Sequence, residues 1–292
     1  MIISVGEVLA DVLMDVKTGE MQAFVGGAPF NVAVGVHQCG GSVRFYGRVG
    51  KDPIGTFLRE KVREKLPKER FIVQTDDARP TTLAIVSLSE DGERDFRFIR
   101  ENSADYHIET GEIAFEEKPS VLHIGSLMLS EPEGQGLAFR LMNMADKNDV
   151  PISFDVNYRE DIFRKGQSAF ACYEPVIRRA DILKMSEEEI ELYLGLPAEE
   201  GIAKMPNKLV CVTLGEKGCL VKLDGEVIRV PSVPVRPVDT TGAGDAFFGA
   251  FLAWIDKFGG LNALTKETAY EIALFANKKG AEATLHKGAV EL

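Results

Sequence analysis

Short apolar runs of strand length alternate along this chain with longer segments whose apolar residues recur at helical spacing. Strands are expected at residues 2–8, 43–46, 121–124, 152–155, 182–185 and 209–213. Helices are expected at 29–39, 53–66, 133–147, 169–179, 187–194, 244–258 and 266–285, the first with Pro29 near its start. This alternation predicts a largely parallel sheet covered on both faces by helices. One region departs from the rhythm. Residues 82–88 and 94–99 read as two strands joined around Asp91-Gly92, a hairpin signal. The second run alternates polar and apolar residues, as a sheet with one wet face does. The pair predicts a small β-flap over one edge of the core, with its other strands drawn from residues 11–25. A further hairpin, residues 219–230 around Asp224-Gly225, reads as an extension of the main sheet.

With 292 residues, the chain fits a single α/β domain over 1–292 whose lid sub-domain comes from about 11–25 and 80–102. The net charge of -11, with no Lys/Arg block, argues against a nucleic-acid partner and requires a local trap for any anionic ligand. No apolar stretch approaches the ~20 residues that cross a bilayer, and no signal peptide is visible, so no membrane partner is expected. Cys39, Cys172, Cys211 and Cys219 form no CxxC pair, which points to a reducing, cytoplasmic setting, with Cys39 and Cys211 as buried, inert thiols.

The chemistry concentrates in Asp239-Thr240-Thr241-Gly242-Ala243-Gly244-Asp245-Ala246-Phe247, which leads into an apolar helix. Glycines let the backbone turn and present successive N–H groups, with the positive end of a helix dipole behind them. Such a cradle suits the negative charge of a phosphoryl group in transfer. Asp245, beside it, is placed to take the proton of an attacking hydroxyl. An isolated Asp at that position would be an ordinary helix N-terminal acid; the whole string assigns each residue type a task.

This string closely resembles the carboxyl-terminal signature of the ribokinase-like (pfkB-type) carbohydrate kinases. Gly26-Gly27-Ala28-Pro29-Phe30-Asn31-Val32-Ala33 resembles the family's first signature, and Gly47-Arg48-Val49-Gly50-Lys51-Asp52-Pro53-Ile54-Gly55 its continuation. Val212-Thr213-Leu214-Gly215-Glu216-Lys217-Gly218 resembles its nucleotide-side loop. The resemblance implies a ribokinase-like α/β/α sandwich with a β-sheet lid. It also implies transfer of the γ-phosphoryl of ATP, with Mg²⁺ and in some relatives K⁺, to a hydroxyl of a small sugar.

Residue by residue, the resemblance makes Asp245 the catalytic base and Gly242, Ala243 and Gly244 the anion hole. Asp11, Asn31, Gly26 and Gly27 fall at sugar-binding positions, and Thr213, Gly215 and Gly218 line the nucleotide. Asp155-Val156-Asn157-Tyr158-Arg159 resembles the central motif of the fructokinases, with Arg159 on phosphate charge and Asn157 near the sugar. Ser186 and Glu189 occupy the place of an Asn-x-x-Glu motif, which would set Glu189 on Mg²⁺ through water. Ser in place of Asn equally forms a helix capping box with that Glu. Asp239 and Thr241 match a monovalent-cation site completed by carbonyls near Ala283, His286 and Gly288, and Asn277 is set to face adenine. Phe98 and Arg100, at the flap, are candidate sugar contacts; Phe96 and Phe98 also read as packing. The flap run and Gly6-Glu7-Val8-Leu9-Ala10-Asp11 resemble the fructokinase branch, making fructose the first substrate, ahead of 2-keto-3-deoxygluconate, ribose and nucleosides.

Two other classes compete. A nucleotide-binding oxidoreductase predicts Gly-x-Gly-x-x-Gly after the first strand, where Gly6-Glu7-Val8-Leu9-Ala10 stands instead. A sugar sensor without turnover would have no use for Asp245 and the complete anion loop. An unpaired flap sheet further predicts a homodimer joined through the lid.

Overall fold

A computed structural model describes residues 1–15, 18–88, 94–115, 118–286 and 288–289, with backbone alone at 87–88 and 94–96. The chain opens with β1 (Ile2–Val5), β2 (Leu9–Met14), β3 (Met21–Gly26), α1 (Ala28–Gln38), β4 (Val43–Gly50), α2 (Pro53–Lys65) and β5 (Phe71–Asp76). Then come β6 (Leu83–Leu88), β7 (Arg94–Ile99), β8 (Val121–Ile124), α3 (Pro132–Lys147), β9 (Ile152–Asp155), α4 (Ala169–Arg179) and β10 (Ile182–Ser186). It closes with α5 (Glu187–Leu194), α6 (Ala198–Lys204), β11 (Leu209–Thr213), β12 (Cys219–Leu223), β13 (Glu226–Val230), α7 (Ala243–Lys257) and α8 (Lys266–Ala283).

Among the described residues, nine strands make one sheet in the order β13-β12-β11-β10-β9-β8-β1-β4-β5. It is parallel from β11 to β5, and β12 and β13 add an antiparallel margin, the extension expected for 219–230. Alternate strand residues face two apolar layers. Ile182 packs with residues of α1, α2, α7 and α8, whereas Leu183 and Met185 pack with those of α3, α4, α5 and α6. The result is the α/β/α sandwich.

Beside it, β3-β2-β6-β7 form a separate four-stranded sheet, antiparallel except where β2 runs parallel to β6. Its strands match the expected flap; the Asp91-Gly92 turn lies outside the described residues, as do the side chains of Arg94 and Phe96. Ala84 and Phe98 pack inward with Leu9 and Leu127, while Ile99 on the other face is half exposed.

The structure corrects several expectations. Residues 2–8 are not one strand, because the chain leaves the large sheet after Val5 and enters the small one at Leu9. Asp11 lies within β2 of the small sheet, in the segment expected to supply the flap's other strands. The strand at Phe71–Asp76 and the short helix at Ala198–Lys204 were not anticipated. All four cysteines are free; Cys211 and Cys219 are buried, but Cys39 is only half-buried.

Two helices position the chemistry. On α1 and α7, Gly35 and Gly249 meet main chain to main chain, and a methyl on Gly249 would stand 2.9 Å from Gly35 Cα and 2.6 Å from Val32 O. Asn31 lies one helical turn before Gly35 and Asp245 one turn before Gly249, so the close crossing brings these two polar side chains together.

Candidate active site

At the amino end of α7, Gly242 adopts a left-handed conformation (φ 75°) as the helix N-cap. A side chain there would collide with the Ala289 carbonyl, so only glycine fits. The first turn of α7 then sets main-chain N–H groups toward the cleft with the helix dipole behind them, although Ala243 N already donates to Thr240 O at 3.3 Å. Asp245 stands in that turn, and its Oδ2 accepts from Asn31 Nδ2 at 2.8 Å. Asn31 is buried, and its Oδ1 has no hydrogen-bond partner among the described residues. A buried acceptor left unpaired is unfavourable by ~1–3 kcal/mol, which marks it as ready for a ligand donor.

These groups line a cleft of about 290 Å³ together with Asp11, Gly27, Phe98, Asn157, Arg159, Lys184 and Thr241. Asp11 reaches it from β2, and the bare Gly26 leaves room for the Asp11 carboxylate, which a side chain there would displace. Asn157 follows β9 with φ 37°, a left-handed conformation that Asn tolerates better than most residues. Phe98 both packs on Leu9 and closes one wall, so its two readings coexist. The cleft sits at the carboxyl ends of β9 and β10, where open α/β sheets bind ligands.

Electrostatically the cleft is crowded with acids. Burial pushes the Asp11 carboxyl up to about 7, with Asp245 adding to the rise and Arg159 opposing it. Burial also raises Asp245, against the Asn31 hydrogen bond and the charges of Lys184 and Arg159. A base raised in this way holds a transferred proton more readily. Glu7, between β1 and β2, is buried and pushed up to about 8, chiefly by burial. Its Oε1 accepts from Ala28 N at 3.2 Å, and its Oε2 lacks a partner among the described residues.

Thr213, Gly215 and Gly218 stand outside this cleft, on a row across the strand ends. Ser186 pairs with Thr213, Thr213 with Cys219, and Cys219 with Val230. At ~4.8 Å per strand this row spans roughly 14 Å. Gly215 and Gly218 both have positive φ, 59° and 95°, in the turn that joins β11 to β12.

Several expected ligands prove to be engaged in the protein's own structure. Arg100 does not line the cleft with Asp245. Its Nε and Nη2 donate to Asp105 Oδ2 at 2.9 and 2.7 Å, and Nη1 donates to Ser130 Oγ at 2.6 Å. It ties the end of β7 to the core, a task a sugar contact would undo. Asn277 is neither solvent-facing nor free for a base, because it is buried and its Nδ2 donates to the carbonyls of Val230 and Pro231 at 3.3 and 3.0 Å. Ser186 and Glu189 do form the capping box, and Glu189 Oε1 also accepts from Tyr158 N at 2.6 Å. Each Glu189 oxygen thus holds one main-chain donor and keeps a lone pair for water, a donor set that suits Mg²⁺ bound through its hydration shell. Asp239 accepts from Thr241 N at 2.8 Å and Gly288 N at 3.0 Å, clamping together the two loops whose carbonyls would hold a monovalent cation.

Lys184 and Glu7 escaped the sequence reading. Lys184 Nζ donates to Asp155 Oδ1 and Oδ2 at 2.9 and 2.8 Å. Burial alone would depress this ammonium, but Asp155, Glu189 and Asp245 together hold it above its usual value. The available signal was a Lys inside the otherwise apolar run Ile182-Leu183-Lys184-Met185.

A glycine-framed helix start carrying a buried carboxyl in its first turn, in an α/β/α sandwich with a small accessory sheet, is the arrangement of a ribokinase-like phosphotransferase. The profile of the pfkB family carbohydrate kinases matches residues 1–292, and the chain belongs to that family as an ATP-using sugar phosphotransferase. It is 36% identical over 303 residues to fructokinase-1 of Zea mays, covering 99% of this chain and 93% of that protein. It is 34% identical over 293 residues to the fructokinase of Klebsiella pneumoniae, covering 98% and 93%. Among solved structures it resembles the Vibrio cholerae O395 fructokinase bound to fructose, ADP and calcium. There the TM-score is 0.88 at 33% identity, over 99% of this chain and 94% of that one. A double mutant of that fructokinase has been seen with fructose, ADP and potassium.

Proposed function

We propose that this protein is an ATP-dependent fructokinase, with the sugar in the cleft between Asp11, Asn31 and Asp245 and the nucleotide along the Ser186–Thr213–Gly218 row. The observation that carries the reading is the Asn31–Asp245 pair at the glycine-framed start of α7. Fructose is favoured over other sugars by the fructokinases among the relatives, including the Vibrio cholerae enzyme bound to fructose.

The sugar binds with a terminal hydroxyl toward Asp245 and another donating to Asn31 Oδ1. As the hydroxyl oxygen bonds to the γ-phosphorus, its proton passes to Asp245. The bond from that phosphorus to the β–γ bridging oxygen breaks, and the electron pair stays on ADP. Main-chain N–H groups at Gly242–Gly244 hold the oxygens of the migrating group, and Arg159 adds positive charge. When bound, Mg²⁺ would supply charge neutralisation on the phosphates, and Glu189 is the residue that would hold it through hydration water. K⁺ is the candidate for the loops clamped by Asp239, beside Thr241. We read the four-stranded sheet as a lid of one domain spanning 1–292, with Phe98 excluding water from the cleft. Both edge strands of this lid carry an exposed apolar side chain, Met21 and Ile99. That supports a lid-to-lid homodimer, which light scattering tests and a monomer at assay concentration would contradict. The four free thiols favour the cytoplasm.

The deciding experiment is an ADP-release assay across fructose, ribose, 2-keto-3-deoxygluconate and nucleosides. Fructose is expected to lead in kcat/KM by at least ~10-fold. A different leader would refute the fructose assignment, and binding without ADP release on any of them would leave the sensor reading standing.

A further inference from the structure

We infer that Lys184 is a further catalytic residue, whose ammonium contacts the phosphoryl group while it moves between ATP and the sugar hydroxyl. The inference rests on the kinase reading of the cleft and deepens it.

Lys184 occupies the middle of β10, on the sheet face that lies beneath α7. A buried ion pair such as Lys184–Asp155 is often no more stabilising than apolar residues of the same volume, so stability alone gives little reason for it. Its position offers a better one. A methyl group on Gly244 would stand 3.2 Å from Lys184 Nζ, so the bare Gly244 is what lets the ammonium approach the anion loop. Both features are positive: the ammonium, and the helix start with its N–H groups. Asp155 and Asp245 offset part of this repulsion, and an anion between the ammonium and the helix start would be attracted by both.

The hydrogen-bond inventory agrees. An ammonium has three N–H donors, and among the described residues the acceptors of Lys184 are the two oxygens of Asp155. One donor remains, and Lys184 lines the same cleft as Asp245. Arg159, the cation foreseen from sequence, is exposed and follows β9 on a loop, whereas Lys184 is fixed on a strand with its charge already oriented. Oriented charge needs no rearrangement as the transition state forms, which is the condition under which it accelerates transfer most. During the step the γ-phosphorus exchanges its bond to the bridging oxygen for one to the sugar oxygen, and the hydroxyl proton goes to Asp245. Lys184 keeps all its protons and shifts its free donor onto the phosphoryl oxygens.

The test uses the full chain and whichever sugar the wild type phosphorylates fastest. Lys184→Met leaves Asp155 as an unpaired buried charge, so it is paired with Lys184→Met/Asp155→Asn, which removes both charges. The double variant is expected to fold and to bind ATP and sugar with KM within ~3-fold of wild type, while kcat falls at least ~100-fold. Its affinity for ADP with aluminium fluoride and sugar, a mimic of the phosphoryl in transit, should drop at least ~10-fold, with ADP affinity unchanged. A folded double variant with kcat within ~5-fold of wild type overturns the proposal. Should the double variant fail to fold, Asp155→Asn and Lys184→Met are compared directly. Lys184→Met should lose at least ~10-fold more kcat, and equal losses overturn the proposal by making the pair purely structural. A wild type without turnover on any sugar would instead remove the kinase reading, and this inference with it.

Discussion

At the end proposed for the sugar, Asp11, Asn31, Lys184 and Asp245 line one cleft with charged or polar side chains; at the end proposed for the nucleotide, Gly215 and Gly218 offer backbone in the turn that follows Thr213. The sugar end stores electrostatic tension, with the Glu7, Asp11 and Asp245 carboxyls raised by burial and Asn31 Oδ1 and Glu7 Oε2 lacking hydrogen-bond partners among the described residues. The nucleotide end stores conformational constraint, in glycines at positive φ. Chemistry on the acceptor hydroxyl needs specific protonation states, whereas holding a nucleotide draws on shape, N–H groups and fixed charge rather than on a titrating group. The two ends should therefore fail differently when altered.

Asp245→Asn should give the largest effect, a fall in turnover of at least ~100-fold with ATP binding nearly unchanged. A near-normal kcat in single-turnover kinetics would erase the distinction by removing the proton acceptor from the mechanism. Gly218→Ala should act in the opposite sense. Its φ of 95° and the nearby carbonyl of Val230 make any side chain strained, by roughly 1–3 kcal/mol. The expected result is a raised KM for ATP with the sugar KM unchanged, and a parallel rise in both would show that the two ends are coupled.

The smallest effect concerns Glu7, and it is a pH signature. This carboxyl rises from 4.5 to about 8 on folding, mainly through burial. Between those values the folded protein keeps a proton that the unfolded chain has lost, so this group's contribution falls as pH rises and levels off above about 8. Glu7→Gln should therefore raise Tm at pH 8.5, by roughly 5 °C, and leave it nearly unchanged at pH 4. Calorimetry showing the same shift at both pH values would mean that Glu7 is not a buried neutral acid.

How much of this was legible beforehand follows the same division. Strands 152–155 and 209–213 and helices 169–179 and 187–194 emerged with the boundaries expected, because the strands are buried along their length, the first helix buries one apolar stripe, and the second is bounded by the Ser186 capping box and Gly195. Phe71–Asp76 was missed because its apolar residues stop at Val73 and the rest is polar, as an edge strand permits. Asp11, Asn31 and Asp245 could be read because their glycine-rich surroundings have few other uses. Arg100 and Asn277 misled because a polar residue near a site looks like a ligand until its internal partners are known. Lys184 stayed hidden for the converse reason: a charge inside an apolar strand acquires meaning only when the helix above it is in place.

The Gly35–Gly249 crossing carries a consequence for how this enzyme can be broken. It acts as a spacer of zero thickness, setting the gap between two residues that never touch it. A single added methyl would wedge the helices apart one turn below the cleft and draw the Asp245 carboxyl away from the Asn31 amide, with every recognised residue still present. Loss of activity in this protein can thus arise at positions that a search confined to polar side chains would pass over.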